Sequence, residues 1–170
     1  MNDIKLIIEG GGGEPLFSAA HCTQEFSLVR QGMLTRTVNG EMVYLGNADH
    51  QKYITQIRGK DSHAPALENL WRGREVIVHC IQFLTQEIAS GVNEVVLSKL
   101  PCPQSIRVLG FEGDTPVHHI SEKAIFLETE SSHKRFLRYR PLLKMMVVDV
   151  EMSIQEKQNL IEWSIHLEEI

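Results

Sequence analysis

Apolar and polar residues alternate over two stretches near the C-terminal end of the chain. From Leu143 onward Met146, Val148, Val150 and Met152 alternate with Asp149 and Glu151. After 153–159 the pattern resumes, with Ile161, Trp163, Ile165 and Leu167 set between Glu162, Ser164, His166 and Glu168. A period of two gives one dry and one wet face and predicts two long β-strands. The pattern runs to Ile170, so no covering helix is expected after it. A sheet edge left open there is a natural place for another chain to dock.

The same reading extends upstream. Residues 3–9 (DIKLIIE) predict a strand, and Gly10-Gly11-Gly12-Gly13-Glu14-Pro15 predicts a loop. A phosphate-cradling loop would need Lys-Ser/Thr at a helix start, and Leu16-Phe17-Ser18 follows instead. Residues 34–38 and 41–45 flank Asn39-Gly40 and predict a hairpin with a two-residue type I′ turn, in which Leu34 faces Leu45 and Thr35 faces Tyr44. Residues 53–58 predict a further strand ended by Gly59. The 61–73 stretch is a connection whose Leu67, Leu70 and Trp71 fold back as an apolar plug. The 75–84 run (EVIVHCIQFL) is apolar on both faces and predicts a strand buried on both sides. Shorter strands are expected at 92–97, 105–111 and 124–129, and 135–141 leads into the terminal pair. Residues 85–90 are expected to make one or two helical turns. The pattern as a whole predicts a mainly β protein: an antiparallel β-sandwich or barrel-like sheet with a long C-terminal strand pair and few short helical turns.

At 170 residues the chain corresponds to one β-rich domain spanning 1–170, with 85–134 as a candidate inserted or variable subregion. Chains of this size bury roughly 70 % of their unfolded surface and support a core without staples. The net charge of −5 argues against nucleic acid as the main partner. No apolar run approaches the ~20 residues of a membrane span, so no membrane anchor is expected. The start of the chain lacks a signal-peptide pattern, and three cysteines without a CxxC fit synthesis in a reducing cytoplasm.

Candidate chemistry is sparse. His21-Cys22, His79-Cys80 and His118-His119 contain zinc-type donors, but neighbours on a strand point to opposite faces, so no metal site is expected. Asp61-Ser62-His63 contains triad residue types, yet consecutive residues seldom converge on one proton-transfer line and no GxSxG elbow is present. No catalytic residue and no cofactor are expected. Basic residues gather at Lys134, Arg135, Arg138, Arg140 and Lys144, interleaved with Phe136, Leu137, Tyr139 and Leu142. In an acidic chain such a patch is suited to orienting protein association. Arg135, Arg138 and Arg140, together with Trp163, Ile165, Leu167 and Glu169 of the last strand, form the candidate subunit interface.

One ordered set of segments carries a resemblance. It comprises Thr35-Arg36-Thr37-Val38-Asn39-Gly40, the 53–58 strand, Pro65 through Trp71-Arg72-Gly73, the 76–81 run, Tyr139-Arg140-Pro141 before 145–152, and Trp163-Ser164-Ile165-His166-Leu167-Glu168-Glu169. In this order it resembles small structural proteins of tailed-phage tail tips and baseplates, of the distal tail protein type. The resemblance covers the first half and the final strand pair and leaves 85–134 unmatched. It implies a virion protein of the tail tip that carries no catalytic residues. Such a protein assembles as a ring, a hexamer or alternatively a trimer, and bridges the tail tube and the hub. The alternative from another class is a β-sandwich carbohydrate- or protein-binding module.

Overall fold

The structure, a computed structural model, describes residues 6–10, 22–30, 32–47, 51–61, 67–110, 113–114, 117–119, 121–128, 131–155 and 160–170. The loop expected at 10–15 and the Ser62-His63 pair therefore lie outside the described residues, except Gly10. Every ordered element among the described residues is a strand, and every pairing is antiparallel.

The two terminal strands are β15 (Pro141–Gln155) and β16 (Leu160–Glu169), the longest in the chain. They form the spine of a sheet in the order β1 (Ile7–Glu9), β6 (Glu75–His79), β15, β16, β5 (Tyr53–Asp61) and β2 (Thr23–Leu28), with β9 (Leu100–Pro101) also on β15. This sheet curls. The Gln24 side chain on β2 accepts hydrogen bonds from the backbone N–H groups of Ile81, at 2.8 Å, and Gln82, at 3.2 Å, just beyond the far strand β6. The curl wraps one face around Leu6, Ile57, Val76, Val78, Leu143, Met145, Val147, Trp163, Ile165 and Leu167, and Leu70 closes over them from the 67–74 connection.

Alternation along β16 follows the sequence pattern: Ile161, Trp163, Ile165 and Leu167 are buried and the residues between them are half-buried. Along β15 it does not. Val147 pairs with Leu167 and Asp149 with His166, so Val148 is an extra residue at a β-bulge. A bulge shifts the face by one position. Leu143, Met145 and Val147 therefore point inward before it, in place of the expected Met146 and Val148, and Val150 points inward after it. Apolar residues at 145–148 are contiguous, so the pattern left two registers open, and the pairing selected between them.

Two other expectations change. The 75–84 run is not one doubly buried strand. It breaks at 80–83 into β6 and β7 (Leu84–Ile88), and only Val76, Val78 and Cys80 are fully buried, while Ile77 faces outward. Because β7 pairs along β14 (Arg135–Tyr139), residues 84–88 are extended and the helical turn expected at 85–90 is absent. β14 also carries β10 (Arg107–Gly110) and through it β11 (Gly113–Asp114), which makes one small sheet. The other small sheet joins β12 (Val117–His119), β13 (Ala124–Leu127) and β8 (Glu94–Val96). The two small sheets share a second core of Ile88, Val95, Leu97, Val108, Ile125, Leu127, Leu137 and Tyr139. Residues 84–139 thus form a small sandwich beside the curled sheet.

Candidate interaction surfaces

The feature least explained by folding alone is the hairpin of β3 (Met33–Arg36) and β4 (Met42–Leu45). Its turn is not the two-residue type I′ that Asn39-Gly40 suggested. Thr37 N donates to Glu41 O at 2.9 Å and Gly40 N to Thr37 O at 2.9 Å, which makes Val38-Asn39-Gly40 a three-residue loop with Gly40 at φ 84°. This is a turn followed by a left-handed glycine bulge. Asn39 is not in the positive-φ region that type I′ requires. The register moves by one, so Leu34 faces Tyr44 and Met33 faces Leu45. The Tyr44 ring lies against both Gly32 and Gly46, where any Cβ would overlap it.

Among the described residues the hairpin pairs with no other strand. Leu34, Met42 and Tyr44 share one of its faces and Met33, Val43 and Leu45 the other, and all six are exposed, Leu34 at 65 %. A two-stranded hairpin is marginal by itself in water. One with apolar side chains on both faces loses hydrophobic free energy until something covers them.

The outward face of the large sheet has the opposite character. Lys60 pairs with Glu162 at 2.5 Å, Arg58 with Glu25 at 3.7 Å and Lys144 with Glu75 at 2.6 Å. A groove of about 600 Å³ crosses this face beside Arg58, Lys60, Glu151, Glu162 and Ser164. Arg58 and Lys60 are matched across the strands by Glu25 and Glu162, and Glu151 accepts from Ser164 Oγ at 3.2 Å, an arrangement typical of a solvated surface.

The residues expected at a subunit interface separate into two groups. Trp163, Ile165 and Leu167 are side chains of the main core, each almost completely buried, and they hold the sheet together instead of facing a neighbour. Arg135 is buried too, and its guanidinium donates to Val92 O at 2.8 Å. Glu169 is occupied within the chain: it pairs with Lys99 and accepts from Tyr53 N at 3.0 Å. Arg140 is half-buried, its backbone N–H on Ser105 Oγ at 3.2 Å. Only Arg138 lies on an open face. Alternation marks which residues share a side of a strand, but not which side is covered; the partner strands decide that. Trp71 is also displaced from its expected plug: it is exposed, with the Arg74 guanidinium 4.2 Å from its ring centre, while Leu70 fills the core.

Of the histidine–cysteine pairs, His21 lies outside the described residues. His79 Nε2 sits 2.5 Å from Glu9 Oε1 and ties β1 to β6. Among the described residues no three His, Cys, Asp or Glu side chains gather as a metal set. The side chains of His118 and His119 lie outside the description. Compared with known proteins, the chain matches no protein family and no curated sequence.

Burial pushes the Cys80 thiol up to about 12. An unfolded thiol titrates near 9, so above that pH unfolding releases a proton that the folded chain retains. Stability conferred by the buried neutral thiol is therefore complete below about pH 9 and falls as pH rises toward 12, by up to about 1.4 kcal/mol per pH unit. Urea unfolding between about pH 8 and 11 is expected to show this decline, and Cys80→Ala to flatten it.

Proposed function

We propose that this chain is a non-enzymatic structural subunit of a tailed-phage or prophage tail tip, working as a ring that joins the tail tube to the hub. The observation that carries the reading is the β3–β4 hairpin, with large apolar side chains exposed on both faces and no further strand paired with it among the described residues. A folded chain that presents such an element is built to be completed by a protein surface. Long antiparallel strands, and an order of segments that resembles distal tail proteins, support the same reading. The carbohydrate-binding alternative has less support: Trp163 is buried, and Arg74 already occupies one face of the exposed Trp71 ring.

Purified full-length protein is expected to form closed rings in negative-stain electron microscopy and oligomers in light scattering. Leu34→Ser combined with Leu45→Ser removes one anchor from each hairpin face. At about 1–2 kcal/mol per anchor, association should weaken roughly 30-fold or more, with the melting temperature unchanged. A chain that stays monomeric at every concentration and is absent from virions rules the proposal out.

A further inference from the structure

Strand β15 is paired on both sides over its first part only. One side carries β6 as far as Met146, and then the Gly73 and Arg74 backbone at Val147. From Asp149 to Gln155 the strand pairs with β16 on its other side, and on this side no strand follows among the described residues. That stretch presents an open backbone edge. Register with Ile165, Trp163 and Ile161 puts Val150, Met152 and Ile154 on the inner face of the sheet, and Asp149, Glu151 and Ser153 on the outer face. Met152 is 52 % exposed and Ile154 63 %. Sheet edges are normally blunted by lysine, proline, a bulge or an inward-pointing charge. The bulge at Val148 precedes this stretch, and within it none of these devices occurs.

The β3–β4 hairpin is the matching element. Among the described residues each of its strands has one neighbour, so each keeps an unpaired edge. It leaves the large sheet where Val29 N donates to Lys52 O at 2.8 Å, next to the Leu28–Tyr53 pair. The open edge of β15 lies toward the other end of that sheet, where Ile154 stands opposite Ile161 and Ile161 opposite Asp61. β5 runs from Tyr53 to Asp61 between the two ends, a span of about 26 Å at the usual rise per residue. The exposed Leu34, Met42, Tyr44 and Leu45 side chains show that the hairpin is not laid back along its own sheet. Hairpin and edge thus stay apart within a chain, each offering what the other lacks.

We infer that the β3–β4 hairpin of one copy adds to the 149–155 edge of β15 in a second copy of this chain, extending its sheet. Backbone hydrogen bonds join an added strand to an open edge, and alternate side chains set the fit. Here one face of the hairpin continues the row of Val150, Met152 and Ile154 and covers it. The hairpin, marginal as two strands, becomes part of a larger sheet. The occupant is a second copy because donor and acceptor sit at opposite ends of one sheet, so every copy gives one hairpin and receives one. Contacts between two different surfaces of identical subunits form rings when the rotation per step closes. This assignment rests on the ring reading above and names the surfaces that make the ring.

Complementation between two full-length variants tests it. L34S/L45S disables the hairpin, and M152K/I154K places lysines on the edge, where both native side chains are exposed and the melting temperature should not change. Sedimentation velocity is expected to show that the wild type associates and that M152K/I154K alone does so at least ~10-fold more weakly. At a concentration where neither variant associates alone, an equimolar mixture should form heterodimers and nothing larger, because only one intact hairpin and one intact edge remain to meet. If the wild type associates and M152K/I154K leaves that unchanged, this contact is wrong and the ring reading stands. A mixture that forms no heterodimer, or that assembles beyond it, rules the contact out in the same way. A wild type that never associates overturns both.

Discussion

Trp163→Ala is expected to cost about 3–5 kcal/mol of folding stability, the upper range for emptying an aromatic site. The indole is buried at 2 % exposure and lies flat on Gly59 of the neighbouring strand, where any Cβ would fall inside the ring. Register places the two residues directly opposite each other. Gly59→Ala should therefore be destabilising as well, by about 1–3 kcal/mol, through overpacking. The double variant should cost less than the sum of the two, since the new methyl enters the space left by the indole. Urea unfolding of the four proteins measures that coupling, and strict additivity would show that the two residues do not interlock. Trp163 Nε1 has no hydrogen-bond partner among the described residues. Trp163→Phe, which discards this buried donor, should accordingly be milder than its lost volume suggests.

Glu169→Ala is expected to cost about 3–5 kcal/mol, the penalty of stripping one partner from a shielded ion pair. Glu169 and Lys99 are largely buried, at 11 % and 18 % side-chain exposure. Lys99 also donates to Gln51 O at 3.0 Å and sits over the Tyr53 ring. Removing the carboxylate leaves the ammonium with carbonyl and ring only and strips Tyr53 N of its acceptor. This cluster joins the small sandwich, through the 97–99 connection, to the ends of β5 and β16. Ser98 Oγ and Lys99 N bond Tyr139 Oη from the same connection, at 3.0 and 3.1 Å. Glu169→Gln keeps an acceptor for Tyr53 N and should cost less than the alanine change. Lys99→Met with Glu169→Leu, which removes both charges, should recover much of the loss. Thermal unfolding of the set decides it: equal losses for Gln and Ala would mean that the charge contributes nothing.

Strand content was legible because a period of two is a local property. β5, β6, β13, β14 and β16 lie within a few residues of where alternation and β-branched side chains put them. Register was not legible. At 145–148 four consecutive apolar residues allow either face to be dry, and only pairing with β16 places the bulge at Val148. At 38–40 Asn-Gly fits several turns, and the bond from Thr37 N to Glu41 O selects the three-residue one. Gly59 ends the strand in the sequence pattern, yet β5 runs on through it to Asp61. A glycine inside a strand also marks close approach by another group, here the Trp163 indole. The 85–90 stretch differs from its local pattern for a related reason, because its conformation depends on β14, some fifty residues away.

The candidate interface divided along the same line. Arg138 is visible in the cluster of basic residues, but that Arg107 lies directly across the sheet from it is a pairing no local window contains. Trp163, Ile165 and Leu167 share one face, and the structure places that face in the core of their own chain; an apolar stripe reads the same whether it meets its own chain or another.

Alone, the order of side chains determined that this protein is built of antiparallel strands with a long terminal pair, because alternation acts over a few residues and needs no partner. Tertiary structure decided which faces are closed, which described hairpin carries no further strand and which charges are paired inside the fold, such as Lys99 and Glu169. Those depend on contacts between residues far apart in the chain, and burial is a property of the assembled whole.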